Sequence, residues 1–315
     1  KSLDRSEEFL KKAIALDNNF SEAHAALGYK KNLMGEYEEA EEEFEKALAI
    51  SEKNNNQESL SHIYIHLGIY YRGQKRFEKA INFLQNGLKL QKLLHNEYNQ
   101  ANLLHNMSSC YALVGNNEKR LNLLNQSQEI YDKLEETIYL GNSYGEMGNV
   151  YKSIGDNENA IDHYEKAKRI YISEKMNFNY SKVLILQADI YIDLKKYNEA
   201  KNNLQQAEII ATDFDNPQMN GRIYLAFGAM YAEQDMIEES LESYEEALDV
   251  FMDINNVLRS SEIHTLMGLL YLENQQFKKA EKSYKRANKL IKRIKINQNI
   301  PIDKLKEGIE NYNKS

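Results

Sequence analysis

The chain has 315 residues, with 40 Lys and Arg against 48 Asp and Glu, and its net charge of −8 excludes the basic excess that phosphate recognition in nucleic acids needs. Hydrophobic residues make up 42% and aromatic residues 10%, enough for a continuous core, and no apolar run approaches the roughly 18 residues of a membrane-spanning helix. Cys110 is the single cysteine, which excludes an internal disulfide and reads as a small buried hydrophobe.

In chain order, residues 1–20 come first. Ser6, Leu10 and Ala13 recur at helical spacing, which predicts one helix with Phe9, Leu10, Ala13 and Ile14 on its apolar side. From residue 21 a 40-residue period takes over, with Gly28, Gly68, Ser108, Gly148, Ala188, Gly228 and Gly268 in strict register. Three residues beyond each lies a Tyr (Tyr71, Tyr111, Tyr151, Tyr191, Tyr231, Tyr271), with Lys31 alone out of line. Further on come Ala40, Ala80, Arg120, Ala160, Ala200, Ser240 and Ala280, then Phe44, Leu84, Leu124, Tyr164, Leu204, Tyr244 and Tyr284. These spacings predict two helices per unit, with small residues where the helices cross closely and the partner's bulky side chain drops in. Gly35, Gly115 and Gly155 mark tight turns between the two helices, and Asn-rich stretches separate the units. Ser108 and Arg120 make the third unit the least regular. Residues 297–315 predict a linker and a helix opened by Pro301, with Ile302, Leu305, Ile309 and Tyr312 on one side.

The segments "IYIHLGIYYRGQKRFEKAINFLQNGL" and "SYGEMGNVYKSIGDNENAIDHYEKAKRIY" resemble the tetratricopeptide (TPR) repeat. The unit departs from the common 34-residue form, and it is similar to the longer units of spindle-orientation scaffolds, kinesin light chains and bacterial peptide-regulated or transcription-factor sensor arrays. The resemblance implies an all-α, right-handed superhelical α-solenoid of antiparallel helix pairs. It divides the chain into 1–20, the second helix of a truncated leading repeat; 21–296, seven 40-residue units; and 297–315, a linker and C-terminal capping helix. The half-repeat at the start implies a piece of a longer protein.

No GxSxG, Gly-rich phosphate loop, CxxC or HExxH occurs, so a non-catalytic role without cofactor or metal is expected. His62 and His66 lie four residues apart and His105 follows one unit later, yet no Cys or well-placed carboxylate joins them, and they read as polar groove lining. In TPR arrays the first helices line a concave face that holds ligands. Carried onto this sequence, that implies a polar half formed by His62, His66, Arg72, Asn102, His105, Asn106, Ser109, Asn142, Glu146, Asn149 and Lys152. The implied second half carries Ile185, Leu225 and Leu269 as apolar anchors, with Lys182, Asp189 and Arg222 among them. Side-chain amides offer both donor and acceptor to a peptide backbone, so the expected partner is a protein or peptide in this groove. Neither nucleic acid nor membrane is expected, and the localisation implied is cytoplasmic. The chaperone-tail clamp of some TPR proteins requires a Lys that this chain lacks at the matching positions.

Two charged stretches stand apart. "EYEEAEEEFE" is acidic, and the second helix of the last unit runs through Lys278, Lys279, Lys282, Lys285, Arg286, Lys289, Lys292 and Arg293. They read as solvated helix faces, or as surfaces for weak end-to-end self-association. The functional expectation is a protein- or peptide-binding scaffold; the alternative is a sensor segment of a larger bacterial signalling protein, switched by a bound peptide.

Overall fold

The protein is described by a computed structural model covering residues 2–294 and 302–314. Among the described residues every regular element is a helix. α1 (Ser2–Leu16) is followed by seven antiparallel pairs. These are α2 (Ser21–Met34) with α3 (Tyr37–Lys53), α4 (Gln57–Gly73) with α5 (Phe77–Leu93), α6 (Glu97–Leu113) with α7 (Asn117–Lys133), and α8 (Thr137–Ser153) with α9 (Asn157–Ser173). Then come α10 (Asn177–Asp193) with α11 (Tyr197–Asp213), α12 (Pro217–Ala232) with α13 (Ile237–Asp253), and α14 (Val257–Glu273) with α15 (Phe277–Ile294), before α16 (Ile302–Lys314). The linker expected at 297–301 lies outside the described residues. The chain forms two compact units, one ending at Ala167 and one starting at Lys168, so that the boundary falls within α9.

The turns follow from the repeated residues. Positions 35, 75, 115, 155, 195, 235 and 275 all have positive φ, and so do 55, 95, 135, 175, 215 and 255. Each closes a helix in a left-handed residue, as glycine does at Gly35, Gly115 and Gly155. The amide beyond the turn returns to the carbonyl of the repeated Tyr, as in Arg76 to Tyr71 at 2.9 Å, Lys196 to Tyr191 at 2.8 Å and Gln276 to Tyr271 at 2.8 Å. The Asn-rich turns start the next helix: Asn56, Asn96, Asn216 and Asn256 each accept a backbone N–H of the first turn through their side chains.

The small residues do what their spacing implies. A Cβ built on Gly68 would stand 2.5 Å from Leu84, one on Gly148 2.5 Å from Tyr164, and one on Gly228 2.4 Å from Tyr244. In these three pairs the bulky side chain of the second helix thus rests on the backbone of the first. In the first unit the core runs through Phe44, Ile63, Leu67, Tyr71, Leu84 and Leu103. In the second it runs through Leu184, Leu204, Ile223 and Phe227, and separately through Tyr244, Phe251 and Ile263. Cys110 is fully buried, and burial pushes its thiol up.

The two end helices pack by different means. Glu7 of α1 meets Lys30 at 3.7 Å and Lys31 at 3.5 Å, and Lys30 donates to Ser6 at 3.0 Å. Lys31 therefore replaces the repeated Tyr where an ion pair to Glu7 and Glu36 takes over. Phe9 on α1 is 69% exposed. At the other end Leu305 of α16 reaches Gly268, where a built Cβ would stand 2.5 Å from it. α16 touches both α14 and α15.

Candidate binding wall

Among the first helices, α2 touches α4, α4 touches α6, and α10 touches α12. No comparable contact joins α3 with α5, α5 with α7, α11 with α13 or α13 with α15 among the described residues. First helices therefore form the inner wall of each unit, and second helices the outer one.

The wall of the first unit brings the polar candidates together on α4, α6 and α8. Asn106 Nδ2 donates to Asn102 Oδ1 at 2.6 Å and to the Asn102 carbonyl at 3.0 Å, which joins two amides one helical turn apart. Ser109 donates to the His105 carbonyl at 3.2 Å. His62 is exposed and receives Asn99 Nδ2 at 3.5 Å. Asn142 and Lys152 are half-buried on α8.

Charge on this wall is concentrated around His105. Burial holds its pKa below the ordinary imidazole value; Glu146 opposes that shift, while Arg72 and Arg120 reinforce it. Arg120, the residue that broke the repeat at a small position, reaches from α7 to form an ion pair with Glu146 on α8. The repeat irregularity thus has a partner. Arg72 is half-buried and makes no ion pair with the described residues.

Some candidates have structural roles that the sequence reading did not assign. Asn149 accepts the Tyr164 hydroxyl at 2.8 Å and donates to Glu146 at 3.4 Å, so its amide helps to hold the α8–α9 pair. The His66 ring packs between Tyr29, centroids 5.3 Å apart, and Phe44, 6.4 Å apart, and burial lowers its pKa. No group of three or more His, Cys, Asp or Glu with metal-holding geometry occurs among the described residues.

In the second unit the apolar expectation needs correction. Ile185 is 2% exposed and belongs to the core cluster with Leu184, Ala188 and Leu204, so it is closed to a ligand. Leu269 packs against the cluster of Ala280, Leu305 and Ile309, partly covered by α16. Leu225 is half-buried against the cluster of Tyr244 and Phe251. The polar members remain at the surface: Lys182 and Asp189 are half-buried, and Arg222 faces Asp189 and Arg259. Burial pulls the Arg222 guanidinium's pKa down, Asp189 works against this, and Arg259 adds to it.

One feature at the repeat edge was missed by pattern reading. A cavity of about 240 Å³ lies in the second unit among Phe178, Ser181, Ile210, Ala211, Phe214, Asn216 and Met219. The exposed Phe178 at the start of α10 and Phe214 at the end of α11 are the sequence signal that could have found it. No described helix is long and apolar enough to cross a membrane.

The profile of the soluble NSF attachment protein (SNAP) family matches residues 30–207, and that of the tetratricopeptide repeat matches residues 261–293. No curated protein matches the chain. Among solved structures, a signal transduction ATPase (STAND) protein with a tetratricopeptide repeat sensor, from Pyrococcus horikoshii, aligns at 20% identity over 96% of this chain and 45% of its own, with a TM-score of 0.71. The apo quorum sensor NprR of B. thuringiensis aligns at 15% identity over 92% and 82%, with a TM-score of 0.67. A Rap protein complexed with competence and sporulation factor aligns at 15% identity over 91% and 76%, with a TM-score of 0.62. At these identities the likeness is one of fold.

Proposed function

Because the chain belongs to the soluble NSF attachment protein family and folds as tetratricopeptide-like helix pairs, we propose that it is a non-catalytic scaffold that holds a peptide or an extended protein segment on the first-helix wall of its first unit. The observation that carries this reading is the row of half-buried polar side chains on consecutive first helices: Asn102, His105, Asn106 and Ser109 on α6, then Asn142, Glu146 and Lys152 on α8. Amides and hydroxyls in such a row pair with a peptide backbone whatever its side chains, so the affinity is broad. Within this unit Arg72, half-buried on α4, is the charged contributor. A family described as an attachment protein accords with a holding role rather than with chemistry.

The test uses peptides selected from a random twelve-residue library on the full chain. Asn106→Ala with Asn142→Ala should weaken those peptides by about 1–3 kcal/mol, the range expected when hydrogen bonds to a ligand are lost. Asn149 is left intact because Tyr164 depends on it. Unchanged affinity would move the site away from this wall.

A second reading is favoured by the sensor and quorum-sensor structures that share the fold: a segment whose bound peptide switches an output. Small-angle scattering with and without a selected peptide separates the two. A scaffold keeps its scattering curve, and a switch changes it.

A further inference from the structure

We propose that two copies of this chain associate through the outer face of the second unit, α13 of one copy lying on α15 of the other about a two-fold axis. The argument starts from opposite charges at equivalent repeat positions. α13 carries Glu238, Glu239, Glu242, Glu245, Glu246, Asp249 and Asp253 and no Lys or Arg. α15 carries Lys278, Lys279, Lys282, Lys285, Arg286, Lys289, Lys292 and Arg293 with Glu281 as its single acid.

The charges are stripes, not scatter. Glu238, Glu242, Glu245 and Asp249 follow one another at four, three and four residues, and all are exposed. Lys278, Lys282, Lys285, Lys289 and Lys292 repeat that pattern one unit later, also exposed, along roughly 20 Å of helix at 1.5 Å per residue. α13 and α15 are consecutive second helices, both placed on the outer side, and Tyr271 of the intervening α14 feels both Glu245 and Arg286. An acidic and a basic stripe therefore lie side by side on one face.

Among the described residues one member of the two stripes is neutralised from within. Lys285 pairs with Glu281 at 2.6 Å and Lys279 sits over the Tyr271 ring at 5.2 Å. The remaining cations of α15 make no ion pair with the described residues, and neither do the acids of the α13 stripe. The Glu246 carboxyl is pushed up by burial and by its like-charged neighbours Glu208 and Glu242, so that helix gains from an external cation.

A face with an acidic and a basic stripe side by side is its own complement. Rotated by a half-turn, α13 meets α15 of the second copy and α15 meets α13, the closed arrangement in which each contact occurs twice. Exposed ion pairs are individually weak and screened by salt, so the association is modest and strongly dependent on ionic strength.

Sedimentation velocity on the full chain tests this. Between about 20 mM and about 500 mM salt the Debye length shrinks from roughly 20 Å to roughly 4 Å, and the dimer affinity should fall at least tenfold. Lys282→Glu with Lys289→Glu, and separately Glu242→Lys with Asp249→Lys, should each be monomeric at low salt while keeping the parent's helical circular dichroism. Mixed in equal amounts, the two variants should dimerise again, because each supplies the stripe the other lacks. A parent that stays monomeric at low salt overturns the proposal, as does a dimer indifferent to both variants. Species that keep growing with concentration and vanish on Glu38→Lys with Glu42→Lys also overturn it, since α3 would then be the acidic partner in an open chain.

Discussion

The Tyr164 ring lies against the backbone of Gly148, where a built Cβ would stand 2.5 Å from its Cε1, while its hydroxyl donates to Asn149 Oδ1 at 2.8 Å. One side chain of α9 thus reads two consecutive residues of α8, the first by shape and the second by hydrogen bond. The repeated glycine is there for contact, because Gly within a helix is worse than Ala by roughly 1 kcal/mol.

Gly148→Ala sets that gain in helix propensity against a fully buried ring that has to move. Overpacking of this kind costs about 1–3 kcal/mol, so the variant should be less stable than the parent, as should Ala160→Leu on the facing helix. Gly73, at the end of α4, has nothing within 4 Å of a built Cβ, so Gly73→Ala should be neutral or stabilising. Chemical denaturation of the three variants gives the signs. Equal effects at Gly148 and Gly73 would show that helix propensity alone accounts for the glycines.

The left-handed turn residues supply a second comparison. Lys195 has φ 58° and occupies the place held by Gly155, φ 79°, one unit earlier. A side chain in that region costs about 1–2 kcal/mol, partly offset by the extra unfolded-state freedom of glycine. Lys195→Gly should raise stability by about 0.5 kcal/mol and Gly155→Ala should lower it by about 1 kcal/mol. A thermal melt in which both changes destabilise would contradict the shared turn geometry.

Stability should also depend on mild acid. Burial, reinforced by Arg286, holds His264 down at about 4 against an ordinary 6.5. The unfolded chain therefore binds more protons between these values. The stabilising contribution is complete above pH 6.5 and is lost as the pH falls towards 4, by about 2–3 kcal/mol for such a shift. Burial displaces His66 and His105 in the same direction. Denaturant midpoints measured across this window should fall with pH for the parent and fall less for His264→Leu. Parallel curves for the two proteins would remove His264 from the account.

The repeat was legible because its determinants are local. Gly68, Gly148 and Gly228 announce their contacts by spacing, and the Tyr three residues later announces the turn whose closing bond its carbonyl accepts. The wall was legible only in part. Asn102 and Asn106 are half-buried side chains joined on one helix, but Ile185 packs into the core with Leu184, Ala188 and Leu204, a neighbourhood that its spacing alone does not reveal. Leu269 is partly covered because α16 lies over it, a tertiary fact no repeat pattern contains. Arg120 stood out as irregular, yet its partner Glu146 lies on the next helix and became identifiable only in the fold.

The central claim is that the first-helix wall of the first unit receives the ligand. Amide hydrogen exchange of the full chain, with and without a library-selected peptide, tests it most directly. Binding on the wall should slow exchange in α4, α6 and α8 while leaving α5 and α7 as they were. Protection confined to α5 and α7, or absent from all five helices at saturating peptide, would contradict it.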